Sequence, residues 1–238
     1  MNCLDVDLIR EEIGLWFVHY VWMNLKQIIY FTNMVELGKP KKFKYMCGRF
    51  VLYSEKLVKS KFNLNIKKNF NISPNQEVVI INEKLKAIKV KWGIIPSWKK
   101  TLIINARFET INEKKTFRNF KKCVFVANGY YEWLRTEGNK TPYYHFNIDK
   151  ELIFFAGIYN SIGCCIVTNK SVSYLSKIHG RQPFFLKENQ IKEWISKENN
   201  NLFYDEIINF HPVSNAVNKI WNNSEDLIFE KDLNKQLD

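Results

Sequence analysis

The feature that most constrains this sequence is a succession of short apolar segments, separated by turn residues, that begins at Cys47. Short runs rich in β-branched and aromatic side chains are typical of strands. They predict strands at 48–53, 76–82, 85–92, 123–127, 130–134, 142–148, 152–159 and 164–168. Helical patterns fall at 54–62, 110–120, 171–177, 187–196 and 202–208. We therefore predict a single α+β domain over 47–238, with a largely antiparallel, barrel-like sheet and peripheral helices.

The first 46 residues do not follow this pattern. Residues 13–31 are mostly apolar, but polar and charged side chains interrupt them, and a membrane span needs about 20 mostly apolar residues. The charged residues before them are mainly acidic, whereas a signal peptide begins with a positively charged region. Gly38, Pro40 and several lysines then predict a linker that ends at Met46. We predict that 1–46 is an extension, either an upstream mis-start, with Met46 as the true start, or a leader that is removed.

Charge and cysteine content narrow the function classes. The net charge is +12, and residues 1–46 hold six basic and five acidic side chains, so +11 falls on 47–238. A positive excess favours a polyanionic partner, with nucleic acid ahead of a membrane surface. The five cysteines form an odd set without a C-x-x-C pair, which argues against a disulfide framework and a zinc ribbon. A reducing cytoplasm is the expected compartment.

The commonest catalytic motifs are absent from the sequence. It contains no G-x-x-x-x-G-K, G-x-S-x-G or H-E-x-x-H, so phosphate-binding loops, serine hydrolases of the nucleophile-elbow type and zinc proteases have no support. Six other motifs stand out in order along the chain: MCGRF (46–50), FNISP (70–74), WGIIPSW (92–98), NARFET (105–110), NGYYEW (128–133) and IHGRQP (178–183). Together they resemble the SRAP family of abasic-site processing proteins, and the resemblance covers essentially all of 47–238.

The resemblance implies a covalent reaction with DNA. Family members use a cysteine at the mature N-terminus to form an adduct with abasic sites in single-stranded DNA. Cys47 would be the nucleophile, Glu132 and His179 the acid/base groups, and Asn71 and Arg107 the residues that hold the opened sugar and its phosphate. The activity implied is a lyase-like Schiff-base reaction that shields the lesion, without metal or organic cofactor, by a monomer that associates with the nucleoid when bound to DNA.

Basic and aromatic side chains supply candidate contacts to the strand. Arginines contact phosphates and aromatic rings stack on bases in single-stranded DNA complexes. The candidates are Arg49, Arg107, Arg181, Trp92 and Trp133. The alternative for the tryptophans, Trp98 included, is a place in the core. Cys123, Cys164, Cys165, His145 and His211 are expected to be structural.

The proposed chemistry explains why the extension matters. An abasic deoxyribose opens to an aldehyde, which an amine attacks to give a Schiff base. A cysteine with a free α-amine then adds its thiol to the same carbon and closes a thiazolidine, whereas an amide nitrogen is not nucleophilic. The reaction therefore requires Cys47 to be the first residue. The chain also departs from the family at Gly180, where the family usually has Asp.

Two alternatives remain open at this point. The same thiol and Glu132 suit a peptidase that removes its own leader or cleaves other proteins, in keeping with the peptidase character described for the family. From another class, the chain could be a non-catalytic module that binds single-stranded DNA while the extension blocks Cys47. The identity of the mature N-terminal residue separates these alternatives from crosslinking.

Overall fold

Two β-sheets with short helices carry the fold. The computed structural model describes residues 47–98, 100–149, 151–196 and 208–231, which all belong to one compact unit of the chain. The strands are β1 (Arg49–Leu52), β2 (Asn69–Ile72), β3 (Glu77–Ile81), β4 (Ala87–Lys91), β5 (Asn105–Arg107), β6 (Lys121–Ala127), β7 (Gly129–Thr136), β8 (Asn139–Phe146), β9 (Ile153–Tyr159), β10 (Cys164–Lys170), β11 (Arg181–Pro183), β12 (Phe185–Leu186) and β13 (Asn209–Pro212). The α-helices are α1 (Glu55–Phe62) and α2 (Ile191–Ser196). Short 3₁₀ helices span Phe108–Thr110, Lys115–Phe117, Leu175–Lys177, Glu188–Gln190, Asn215–Asn218 and Glu225–Ile228.

The strands form two mainly antiparallel sheets. The first has the order β13-β8-β7-β1-β2, and every pair in it is antiparallel. The second has the order β11-β10-β9-β6-β3-β4, with β12 paired to β9. Its one parallel pair among the described residues joins β5 to β10. The α+β class is confirmed, but each sheet ends in edge strands, so neither closes into a barrel within the described part of the chain.

Strand β1 links the two sides of the core because successive side chains of a strand point to opposite faces. Phe50 contacts Trp92, Phe125 and Phe155, so this face of the first sheet packs against the second sheet. The next residue, Val51, belongs to a buried cluster on the opposite face, together with Tyr131, Tyr144, Val213, Val217 and Leu227. The segment after β13 therefore covers the outer face of the first sheet.

The helix predictions had mixed outcomes. The helix at 54–62 is confirmed as α1, and 187–196 ends in α2. The predicted helix at 110–120 is wrong: the region contains only two separate 3₁₀ turns, and 171–177 contains one more. Each is three residues long, which is normal for 3₁₀ helices because their hydrogen-bond geometry is poor. Most of the predicted helix at 202–208 and the whole extension 1–46 lie outside the described residues.

No helix in the described ranges is long and apolar enough to cross a membrane.

Candidate active site

The site is built where β1 pairs with β7. The register places Arg49 opposite Tyr131, which brings together Cys47 and Glu132, 85 positions apart in sequence. The backbone N–H of Cys47 donates to Oε2 of Glu132 at 2.8 Å, and the N–H of Trp133 donates to Oε1 at 3.2 Å. Cys47 is fully buried and Glu132 is 6% exposed. The nitrogen of Cys47 is therefore held directly against a buried carboxyl group.

The backbone of Cys47 is strained. Its φ is +32°, a positive value that residues other than glycine rarely adopt. Such a conformation costs on the order of 1–3 kcal/mol and persists only where surrounding contacts hold it. Here the hydrogen bond to Glu132 is the contact that holds the nitrogen in place.

Burial shifts the acidity of both groups. It raises the pKa of Glu132, while nearby His179 and the two backbone N–H donors oppose that shift. Burial, and then the nearby Glu132 carboxylate, raise the pKa of the Cys47 thiol well above its ordinary range. Glu132 thus holds a proton closer to neutral pH than an exposed glutamate does, which suits a group that passes protons.

His179 lies in the turn before β11, close enough for its charge to act on Glu132. The N–H of Arg181 lies 3.2 Å from Nδ1 of this ring and donates to it, so we assign the hydrogen of the neutral ring to Nε2. The carbonyl oxygen of Arg181 is also 3.2 Å from Nδ1 and accepts from it when the ring is protonated. The backbone of Arg181 therefore fixes the orientation of the ring.

Asn71 does not hold the position that the sequence analysis predicted. Its side chain is 1% exposed, and its Nδ2 donates to the carbonyl oxygens of Val217, Lys219 and Asn222 at 2.8–3.2 Å. Its Oδ1 accepts from Nη1 of Arg49 at 2.9 Å. These contacts occupy the amide fully, so the role of holding an opened sugar is corrected to a structural one. The missed partner is the 217–222 segment, which no local pattern reveals because it contributes backbone carbonyls.

The tryptophans separate into different environments. Trp92 is completely buried, and its indole N–H donates to the carbonyl of Ile104, so its predicted contact with DNA is corrected to a core role. Trp133 is half-buried, with its indole N–H on Oδ1 of Asn218 at 3.0 Å and Nζ of Lys140 at 4.9 Å from its ring centre. Trp98, for which a core place was the default, is 67% exposed.

Two of the three arginines that are predicted to contact DNA already bind other groups within the protein. Arg181 makes a two-pronged ion pair with Glu109 at 2.8 and 2.9 Å and donates to the carbonyl of Thr168. This pairing lowers the pKa of Glu109. Arg49 donates to Asn71 and to the carbonyl of Val217. Arg107 is exposed at the end of β5, and its phosphate contact stays a prediction.

The remaining cysteines of the described ranges and His145 are buried. Cys123, Cys164 and Cys165 are fully buried free thiols in the second sheet, and burial raises their pKa values. His145 is buried against Tyr130, and burial lowers its pKa to about 3. Within the described ranges, no three His, Cys, Asp or Glu side chains are grouped as metal ligands.

Comparison with known proteins decides the family. The family described as "SOS response associated peptidase (SRAP)" matches residues 46–220. The chain belongs to the SRAP family. The match begins one residue before Cys47, so the SRAP region includes the whole site described above.

Individual relatives agree. The chain is 32% identical to the abasic site processing protein YoqW of Bacillus subtilis, over 77% of this chain and 99% of that protein. It is 29% identical to YedK of Escherichia coli, named an abasic site processing protein, over 67% and 83%. A solved structure from Bacteroides thetaiotaomicron matches 74% of this chain and 89% of its own, with a TM-score of 0.61 and 22% identity. At 22% identity, the structural match shows a similar fold and nothing about function.

Proposed function

We propose that this SRAP protein processes abasic sites in single-stranded DNA by forming a thiazolidine crosslink through Cys47 as its first residue. The relatives named above are abasic site processing proteins, which supports the substrate class. The observation that carries the proposal is the 2.8 Å contact between the nitrogen of Cys47 and the carboxyl group of Glu132. This nitrogen is the atom that must attack the sugar aldehyde.

The reaction balances as one aldehyde, one amine and one thiol giving a thiazolidine and one water. The α-amine of Cys47 adds to the aldehyde carbon of the opened sugar and forms a carbinolamine. Protonated Glu132 gives its proton to the carbinolamine hydroxyl, which leaves as water and yields the Schiff base. The thiol of Cys47 then adds to the same carbon and closes the five-membered ring, and its proton returns to Glu132. His179 assists the opening of the sugar ring.

The free amine changes the electrostatics of this step. α-Amines titrate at about pH 7.7–8.0, so the amine of Cys47 is available in part at neutral pH. The buried thiol, whose pKa is raised, stays protonated until it adds to the Schiff base and gives its proton to Glu132. An amine placed where the amide N–H now lies retains Glu132 as its hydrogen-bond partner. A carboxyl group that changes its protonation within hydrogen-bond distance is what the dehydration step requires.

The contact with Glu132 also favours a second candidate, self-removal of the leader. In that reaction the Cys47 thiol attacks the preceding carbonyl, the 46–47 peptide bond breaks, and a thioester forms that water hydrolyses. Glu132 lies 2.8 Å from the leaving nitrogen and is placed to protonate it. This reaction would generate the N-terminal cysteine that crosslinking needs, unless translation starts at Met46 and removal of that residue alone suffices.

Denaturing gel electrophoresis with a uracil-excised single-stranded oligonucleotide tests the proposal. A chain that begins at Cys47 is expected to form an adduct that survives denaturation, and Cys47→Ala is expected to form no stable adduct. Cys47→Ser retains the amine but lacks the thiol, so it should give an adduct only when borohydride traps the Schiff base. A stable, untrapped adduct from Cys47→Ser would overturn ring closure by the thiol.

A further inference from the structure

The segment 217–223, called here the 217–223 loop, is fixed by its backbone against the first sheet. Nδ2 of Asn71 donates to three of its carbonyl oxygens, and Arg49 donates to that of Val217. At the other end of the loop, Oδ1 of Asn223 accepts from the N–H of Phe70 at 2.6 Å. Strands β1 and β2 therefore hold both ends of this loop.

The side chains in the middle of the loop point into solvent. Ile220 is 54% exposed and Trp221 is 78% exposed, and Lys219 before them is also exposed. A tryptophan buries a large apolar area when it has a partner, so leaving it in water forgoes a sizeable stabilisation. Folding does not require it there, since backbone carbonyls and the side chain of Asn223 make the contacts that dock the loop. An exposed aromatic on a fixed backbone is characteristic of a binding surface.

The β7–β8 hairpin continues this surface with positive charge. Oδ1 of Asn218, in the loop, accepts from the indole of Trp133, and Nζ of Lys140 lies over that ring. Lys140 is directly opposite Arg135 across the two strands. Both side chains are cationic, so the pair places two positive charges at one point of the hairpin. We call Arg135, Lys140 and Trp133 the hairpin patch.

The hairpin patch adjoins the candidate active site. Burial lowers the pKa of Lys140, the charges of Arg135 and Arg49 lower it further, and Glu132 acts in the opposite direction. Lys140 is therefore within electrostatic reach both of Glu132 and of Arg49, which is two residues from Cys47. Arg49, two residues after Cys47 on β1, contacts the 217–223 loop, and Trp133, the residue after Glu132 on β7, contacts Asn218 of the same loop, so the strands that carry the site also hold the loop and the hairpin patch.

We propose that the 217–223 loop and the hairpin patch bind the single strand on one side of the abasic nucleotide, with a base stacked on Trp221 and phosphates at Lys140 and Arg135. This inference rests on the proposed function, because it places the lesion at Cys47. Interleaved aromatic and cationic side chains are how proteins bind single strands without reading their sequence. The charge of +11 on residues 47–238 favours this occupant over a protein partner.

The test is an equilibrium binding experiment with the full chain carrying Cys47→Ala, so that binding stays non-covalent. The probe is a fluorescent 20-nucleotide single strand with a central tetrahydrofuran abasic analogue, followed by anisotropy over a range of salt concentrations. Trp221→Ala should weaken binding about 5- to 150-fold, the range for loss of one base–aromatic stack, and Trp221→Phe should restore most of it. Lys140→Gln should lower the salt slope by about 0.7. The control variants, Phe229→Ala and Lys84→Gln, also change exposed side chains and should have little effect.

Two further readouts separate the possible failures. With probes that keep nucleotides on only one side of the analogue, the effect of Trp221→Ala should persist with one probe and vanish with the other. Unchanged affinity, or an equal loss with both short probes, overturns the inference and leaves the loop as a protein-binding surface. In chains that begin at native Cys47, Trp221→Ala should lower the crosslinking rate at DNA concentrations far below saturation by the same factor by which it weakens binding. If the unaltered chain beginning at Cys47 forms no adduct either, it is the proposed function that fails.

Discussion

At the residue scale, Glu132 has the most consequential environment in the site. It is almost fully buried, accepts two backbone N–H groups and has a raised pKa. One of its donors is the nitrogen of Cys47, the proposed nucleophile. The sequence alone indicates its aromatic neighbours, but not the bond to Cys47, because that contact depends on the pairing of β1 with β7.

Replacing Glu132 should therefore affect chemistry more than DNA binding. In a chain that begins at Cys47, Glu132→Gln can still accept the hydrogen bond but cannot carry a proton. We expect crosslinking to slow by about 10²- to 10⁴-fold, the usual range for loss of a general acid/base. Because the raised pKa makes the protonated form the acid, the wild-type rate should fall as pH rises through it, and this dependence should be lost in the variant. The measurement is the single-turnover rate against pH at saturating protein.

His179→Ala is the companion to that experiment. It should slow the opening or closure of the sugar ring, while alkylation of Cys47 by a small reagent stays nearly unchanged. If both variants keep wild-type rates and pH profiles, the acid/base roles of Glu132 and His179 are wrong.

At the element scale, the β7–β8 pair carries Glu132 on one strand and a buried histidine on the other. His145 stacks on Tyr130, with ring centres 4.4 Å apart, and burial lowers its pKa to about 3. Its ordinary value in an unfolded chain is about 6.5. Between these values the unfolded chain binds a proton that the folded chain does not. The folded state therefore loses stability as pH falls from about 6.5 towards 3.

The variant His145→Phe retains an aromatic ring against Tyr130 and removes this titration. We expect its free energy of unfolding to depend less steeply on pH, with a relative gain of about 2 kcal/mol between pH 7 and pH 5. Glu132 and His211 are present in both proteins, so their titration cancels in the comparison. Urea denaturation at several pH values provides the measurement, and parallel curves for the two proteins would show that His145 is not buried in its neutral form.

The strands and helices also show which elements the sequence pattern can predict. Strands with continuous apolar runs, such as β6 and β9, are predicted well because burial on both faces leaves a clear signal. The short strands β2, β5 and β13 are missed because each is only three or four residues long and contains polar side chains. The predicted helix at 110–120 fails because aromatic contacts such as Phe117 on Phe120 close separate 3₁₀ turns instead.

At the scale of the whole molecule, the local sequence pattern cannot predict contacts between residues that lie far apart in the sequence. Cys47 and Glu132 lie 85 positions apart, so the sequence analysis relates them only through the family resemblance. Asn71 is misassigned because its partners lie 146 to 151 positions later. Trp92 is misassigned because its burial between the sheets depends on contacts such as that with Phe50. Trp221 carries no motif at all, and its exposure follows from how the 217–223 loop docks on β2.

The proposed function requires the free amine of Cys47 to be the crosslinking nucleophile. It is tested most directly by comparing the full chain with a chain whose first residue is Cys47, on the same abasic single strand. Intact-mass spectrometry reports both the N-terminus and the adduct. We predict that the shorter chain forms an adduct with the mass of protein plus DNA less one water, and that chains retaining Met1 form none. A stable adduct of equal yield on chains that still carry Met1 would contradict the terminal-amine mechanism.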